Sequence, residues 1–360
     1  MQTPTVSAVI VSWNSLRYLP RCLESLREQE LPPREIILVD NGSTDGTREW
    51  VRRHHPGVRL IANDSNRGFC VANNQGIQVA AGDHVLLLNT DVVLERGFLA
   101  VLAAALETDP GLGWASGKLL SWEPDRESAE GPQVIDSAGE LVFHTRRSIN
   151  RGEGEIDRGQ YDRREEVFGV TAAAALYRRA MLDDVRLEGE YLDSDYFAYM
   201  EDSDLSWRAQ LRGWRCLYDP QAVAHHVRHH ATDRSLEIRR HAHANRYLNL
   251  VKNESLVNIL YALPHLVIYE SFRLVKILLT EPRLLGALAK PLRLAPRLAR
   301  KRRIIQGRRR VSSRTLRAWT VPESYRREFV GQLRPERAAT RSPPSRVLQR
   351  TGVGGVGPEE

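Results

Sequence analysis

Residues 35–54 read EIILVDNGSTDGTREWVRRH, and the fold is decided by how that stretch divides. Ile36, Ile37, Leu38 and Val39 form an unbroken apolar run closed by Asp40, the pattern of a strand covered on both faces. Asn41, Gly42, Ser43, Asp45 and Gly46 are turn formers. TREWVRRH then continues as a helix. The same alternation extends outward. VSAVIVSW (6–13), VRLIAND (58–64) and HVLLLNTDV (84–92) read as strands. SLRYLPRCLESLREQ, VANNQGIQVAAG and GFLAVLAAALETDP read as helices, the first with Leu16, Leu19, Leu23 and Leu26 on one face. Strands alternating with helices predict an α/β fold: a mostly parallel sheet with helices on both faces.

Beyond Gly111 the pattern loosens into polar, turn-rich segments that predict loops between short strands up to Gly169. VFGVTAAAALYRRAML reads as a strand or turn entering a helix. GWRCLYDPQAVAHH has strand character, and the chain is helical after Arg239. The last 20 or so residues are rich in Pro and Gly and predict disorder.

Composition narrows the function classes. Of 360 residues, 42% are hydrophobic, enough for a substantial core. Cys22, Cys70 and Cys216 are widely spaced, which argues against a disulfide framework or a cysteine metal site and suits a reducing cytoplasm. The first residues lack a basic leader and read as a buried strand. Of the net charge of +7, 13 Lys or Arg lie between Pro282 and Pro322 without a single acid, leaving the remainder at −6. A basic tail on a mildly acidic body points to an anionic partner surface.

No GxxxxGK[ST], GxGxxG after the first strand, HExxH or GxSxG is present, which disfavours P-loop, dinucleotide, zincin and α/β-hydrolase chemistry. Ligands of α/β sheets lie beyond the carboxyl ends of strands. Two strands end there in acids, Asp40 and Asp91. Asp40 can accept from a base ring, while Ser43 and Asp45 equally suit a helix cap. Asp91, with Asn89 nearby, is either a cap or an oxygen ligand for a divalent cation. AHHVRHH holds His225, His226, His229 and His230; strand alternation turns His225 and His226 to opposite sides. FAYMEDSDLSWR crowds Glu201, Asp202 and Asp204 among aromatics. Asp202 or Ser203 as an N-cap, with Asp204–Arg208 as an i,i+4 pair, is the plain reading.

VSAVIVSWN, EIILVDNGSTDGT, NRGFCVANNQGI, LLLNTDV and DSDYFAYMEDSDLSWRAQLRGWRCLYDPQAVAHH, in this order, resemble family-2 glycosyltransferases of the GT-A fold, bacterial rhamnosyltransferase-like members above all. The resemblance covers roughly residues 6–235. It implies an inverting glycosyltransferase that moves a sugar from a nucleotide-diphosphate donor, dTDP-rhamnose or a UDP-sugar, to a glycan or lipid-linked acceptor in cell-surface polysaccharide assembly. By resemblance, Asp40 contacts the base, and Asn41, Ser43 and Asp45 lie along the nucleoside. Arg67, Gly68, Asn74 and Asn89 line the donor. The family's DxD-type motif reads Asn89-Thr90-Asp91 here, so Asp91 and His226 are the implied ligands of a divalent Mg or Mn ion. EDSD resembles the family's ED motif, which implies Asp202 as general base and Glu201 as its neighbour orienting the acceptor. Phe197, Tyr199 and Trp207 either face a sugar or fill core. A nucleotidyltransferase would need a Gly-rich, basic first loop, which IVSWNSLRYL lacks. A non-catalytic sugar-nucleotide or glycan-binding subunit at the membrane is the alternative.

These readings divide the chain into a GT-A domain (1–238), a helical basic extension (239–320) and a largely disordered tail (321–360). LVNILYALPHLVIYESFRLVKILL is interrupted by Pro264, His265, Glu270, Arg273 and Lys276, which argues against a spanning helix. Amphipathic helices on an anionic membrane surface, or a bundle that caps the catalytic domain or pairs two copies, are the two readings. A peripheral place on the inner face of the cell membrane follows from the first, a homo-oligomer from the second. ARKRRIIQGRRR lacks interleaved aromatics and a recognition fold, so no nucleic-acid partner is expected.

Overall fold

The computed structural model describes residues 4–122, 132–227 and 235–325. His229, His230 and the segment 326–360, and with it most of the tail expected to be disordered, lie outside the described residues.

The amino-terminal half alternates as its sequence pattern predicts: β1 (Val6–Ser12), α1 (Leu19–Arg27), β2 (Glu35–Asp40), α2 (Thr47–His54), β3 (Arg59–Ala62), α3 (Phe69–Val79) and β4 (His84–Asn89). There follow β5 (Val92–Leu94), α4 (Phe98–Thr108), β6 (Leu112–Ser121), β7 (Ile135–Ser137), β8 (Glu140–Phe143), β9 (Ser148–Asn150) and β10 (Glu165–Val167). The next elements are β11 (Ala174–Arg178), α5 (Arg179–Asp184), α6 (Glu201–Arg212) and β12 (Arg215–His226). The chain closes with α7 (Leu236–Asn253), α8 (Leu256–Thr280), α9 (Ala289–Arg293), α10 (Ala295–Gly307), α11 (Ser313–Arg317) and β13 (Thr320–Val321).

The main sheet runs β10-β12-β6-β11-β4-β1-β2-β3, with β5 on β12 and β7 on β6. β1 to β4 are parallel, and β11 enters antiparallel between β4 and β6. Alternate residues of each central strand go to opposite cores. Val9, Ile37, Val39, Val85 and Leu87 pack in one layer, and Ala8, Ile10, Leu38, Leu86 and Leu88 in the other. The unbroken apolar runs are thus explained by helices on both faces. Within the region read as loops between short strands, β6 is a longer strand, ten residues and buried along nearly its whole length. Its run LGWASGKLLS is broken by Gly, Ser and Lys and carries little of the apolar signal of β4.

β12 is bent where its sequence reads DPQA. Its register against β6 shifts between Asp219 and Val223. Pro220 has no N–H to give to the ladder, and Gly117 opposite has no room for a side chain, since a Cβ there would stand 1.8 Å from the Ala222 carbonyl oxygen. Past the bend β12 also pairs with β5, Ala224 opposite Leu94 and His226 opposite Val92.

The carboxyl-terminal helices pack on this body. Lys252 of α7 and Lys301 of α10 are buried and both bond Asp193; Lys252 also reaches Asp204 of α6 at 2.8 Å and Lys301 reaches Asp195 at 2.7 Å. β8, β9 and β13 form a second small sheet, which joins the chain beyond α11 to the segment before β10.

Candidate active site

The register of the parallel strands brings the predicted loops to one edge. Ser12 pairs with Asp40, and Val11 with Asn89, so β1, β2 and β4 end together. Asp40 is fully buried. One carboxyl oxygen accepts from the Arg48 guanidinium and from the Ser43 amide; the other, Oδ1, is buried with no hydrogen-bond partner. A buried acceptor without a donor marks a place for a ligand N–H. Trp13, 54% exposed, follows at the same edge.

Several of the predicted donor residues spend their side chains on the scaffold. Asn41 accepts from the Arg67 amide at 3.0 Å and from Asn63, and donates to Asn66 and the Gly68 carbonyl. Asn74 accepts from the Tyr191 and Leu192 amides and donates to the Leu192 carbonyl at 2.7 Å, tying α3 to the segment before α6. Asp45 accepts from the Leu16 amide and the Thr47 hydroxyl, and Ser43 from the Asn14 amide, so both brace the first and second loops. The Arg67 side chain is exposed. Gly68 has φ +85° and a Cβ there would meet the Phe197 ring at 2.5 Å. Only glycine fits that close approach.

A second group gathers around a cleft of about 690 Å³. Its walls include Asn89, Asp91 and His226 from the strand ends, and Glu201 and Asp202 from the first turn of α6. The pairing of β12 with β5 sets His226 beside Asp91, with Nε2 3.5 Å from Asp91 Oδ1 and Nδ1 2.8 Å from Asp136 Oδ2. Burial alone would lower the His226 pKa; its bonds to Asp136 and Asp91 outweigh that and lift it to about 9. His225 turns the other way, to Glu95 at 3.1 Å.

Helix α6 begins at Glu201, with Met200 as N-cap in the left-handed region and no side-chain cap. The plain cap reading of Asp202 and Ser203 therefore does not apply. The Asp204–Arg208 pair is present at 2.9 Å and fully buried. Asp202 is half-buried and accepts the Ser203 amide at 2.8 Å and the Ala172 amide at 3.4 Å. Burial raises its pKa, and these amides offset part of the rise. Glu201 is pushed well up by burial and then by Asp202 beside it, and its Oε2 is buried without a partner. Both carboxyls are thus held above their usual values, Glu201 the further of the two. Phe197, Tyr199 and Met200 all have positive φ, 67°, 70° and 69°, so the backbone is strained just before the acids. Trp207 is core, edge-on to Phe168 at 5.1 Å; Phe197 covers Gly68, and Tyr199 lines the cleft.

The sequence reading missed three residues. Arg48, on α2, holds Asp40. Asp136, on β7, holds His226. Glu140, buried at the start of β8, accepts from the Ser148 and Ser203 hydroxyls beneath Asp202. Burial and then the charge of Asp202 lift Glu140 to about 7. An acid inside a β-branched run, as in VIDSAGELVF, was the available signal for the last two.

The sequence model of glycosyl transferase family 2 matches residues 7–186. The chain belongs to glycosyl transferase family 2. Among relatives of this glycosyltransferase, the N-acetylglucosaminyl-diphospho-decaprenol L-rhamnosyltransferase of Mycobacterium tuberculosis (strain ATCC 25618 / H37Rv) is 29% identical over 248 residues, spanning 64% of this chain and 79% of that protein. The poly-beta-1,6-N-acetyl-D-glucosamine synthase of Staphylococcus aureus (strain N315) is 26% identical over 221 residues, 61% of this chain and 48% of that protein. The chain thus spans about half the length of that synthase. The crystal structure of GalNAc-T7 with UDP, GalNAc and Mn2+ aligns with a TM-score of 0.53 at 15% identity, over 69% of this chain and 48% of that one. That likeness is one of fold, and it confirms the GT-A architecture expected from the sequence.

Proposed function

We propose that this family-2 enzyme transfers a sugar, with inversion, from a nucleotide-diphosphate donor to a glycan or lipid-linked acceptor in cell-surface polysaccharide assembly. One observation carries the reading: Asp91 with His226, and Glu201 with Asp202, line the same 690 Å³ cleft. The rhamnosyltransferase and synthase relatives support the acceptor class, and the former supports rhamnose as the sugar moved, with dTDP-rhamnose or a UDP-sugar as the donor to be tested.

Asp40 Oδ1 would accept an N–H of the base, with Trp13 as a flat neighbour. Asn41, Asp45, Asn74 and Gly68 shape the donor loops from behind, so their part is to position. Asn89 and Ser43 stand at the strand-end edge where the donor's ribose and diphosphate would lie, and Arg67 offers a charge from its rim.

Asp91 and His226 suit a divalent cation. Asp136 occupies Nδ1 of His226 and leaves Nε2 turned toward Asp91, the arrangement in which a carboxyl orients an imidazole ligand. Among the described residues no group of three or more His, Cys, Asp or Glu converges as a metal cluster. Water and diphosphate oxygens would complete the shell of a hard ion, Mg or Mn. When bound, such an ion offsets charge on the leaving diphosphate.

The acceptor oxygen bonds to the anomeric carbon from the face opposite the leaving group. Its proton goes to Asp202, and the broken C–O bond leaves its electron pair on the nucleoside diphosphate. Glu201, beside it, orients an acceptor hydroxyl through its free carboxyl oxygen. No covalent intermediate is needed. A panel of UDP-, dTDP- and GDP-sugars, with metal and with chelator, tests the reading. One donor bound and turned over in the presence of metal supports it; binding of none contradicts it.

A further inference from the structure

Helix α8 has 25 residues, a length of about 37 Å at the α-helical rise. Its inner side is packed: Ala262, Leu266 and Ile277 are buried. Its outer side is bare. Leu256, Leu260, Ile268, Phe272, Val275 and Leu279 are 54–80% exposed, and at 100° per residue the exposed positions from Leu256 to Leu279 fill a continuous band about half the circumference wide. Pro264 and Ser271 are the only non-aliphatic, non-aromatic residues along the middle of that band. A continuous apolar face of this size marks an interaction surface.

Charge decides what covers it. Between Leu256 and Pro322 there are two acids, Glu270 and Glu281, and both are taken: Glu270 by Arg246, Tyr247 and Arg273, Glu281 by Arg239. The 13 Lys and Arg that follow α8 are opposed by no acid of their own segment, and Arg283, Arg293, Arg297, Arg303, Arg310 and Arg314 are exposed. A second copy seated on α8 would bring two such basic segments together. An anionic lipid surface would attract one. Among the described residues no helix is long and apolar enough to cross a membrane, and a helix packed on one side and apolar on the other suits a place along a surface.

We propose that the outer face of α8 docks the protein on an anionic membrane leaflet, with the apolar band in the headgroup boundary and the following basic segment against the lipid phosphates. This rests on the surface of α8 and not on the reading of the cleft.

The test is flotation of the full chain with phosphatidylcholine vesicles, with and without about one-third phosphatidylglycerol. Wild-type protein should float with the anionic vesicles and be released by high salt. The double variant Ile268→Asp, Phe272→Asp, far from the cleft, should lose ~10-fold or more in vesicle affinity while melting as wild type does and binding donor unchanged. Equal flotation of wild type and variant would overturn the proposal. So would no flotation of wild type together with a dimer in sedimentation that the variant dissolves, which would assign the face to a second copy.

Discussion

Asn245 Nδ2 lies 2.7 Å from the Tyr199 carbonyl oxygen, and the same amide reaches the carbonyls of Tyr196 and Ala198 at 2.9 Å. One side chain of α7 thus holds the strained turn that leads into Glu201 and Asp202. A turn with three positive φ values persists only where its surroundings over-determine it. Asn245→Ala should relax that turn. We expect kcat to fall ~10- to 100-fold with a smaller change in donor KM, because the base moves while the donor loop feels the turn only through Phe197 on Gly68. Steady-state kinetics with the donor varied would show it; unchanged kcat would remove Asn245 from the account.

Lys252 stands in a buried cluster with Asp193 and Asp204. Burial raises the Asp204 carboxyl, but Lys252 and Arg208 outweigh it and hold Asp204 below its usual value. Lys252→Ala leaves Asp193 to Lys301 and Asp204 to Arg208, one cation short in a buried cluster, a loss on the order of 3 kcal/mol. Denaturant unfolding should show a lower midpoint or no folded protein at all. The same cluster explains why α7 and α10 cannot be read as a loose extension.

Glu140 supplies a stability dependence on pH. Its folded value of about 7 lies above the 4.5 of an ordinary glutamate, so the folded state keeps the proton longer than the unfolded one. Its contribution therefore declines as pH rises from about 4.5 to 7 and stays low above that. Glu140→Gln copies the protonated form. It should stabilise the protein at pH 8, by up to about 3 kcal/mol, and do little at pH 4. It should leave the acid limb of the activity profile nearly in place, because Glu140 already carries its proton below about 7. Melting curves at the two pH values and a pH–rate profile check both.

Asp136 acts through His226. Asp136→Asn keeps the shape but weakens the hold on Nδ1, and the metal concentration for half-maximal activity should rise 10- to 100-fold. Metal titration of the chelator-treated enzyme measures this. An unchanged requirement would separate His226 from the cation.

The half of the fold with strict strand–helix alternation was legible because its strands are apolar on both faces and its loops carry turn formers. EIILVD and LLLNTDV also located two strand ends of the site. What the sequence did not show was how later strands enter the sheet. β11 joins antiparallel and β6 is long, yet neither has a periodicity that distinguishes it from a loop or helix start. Asp136 and Glu140 carry only a faint signal for the same reason: they become partners of His226 and Asp202 only after β7 and β8 fold over the cleft. The roles of Asn41 and Asn74 were hard to foresee because an amide that binds a ligand and one that braces a loop look alike in sequence. Nor could the apolar run 256–279 be apportioned until α7 and α11 covered one side of it.

The central claim is that Asp202 takes the proton from the acceptor. The most direct measurement is sugar transfer by Asp202→Asn, with donor binding followed in parallel by calorimetry. The account predicts that transfer falls ~10²- to 10⁴-fold while donor affinity stays within about threefold of wild type. Transfer at the wild-type rate by Asp202→Asn, with the protein folded and the donor bound, would contradict it.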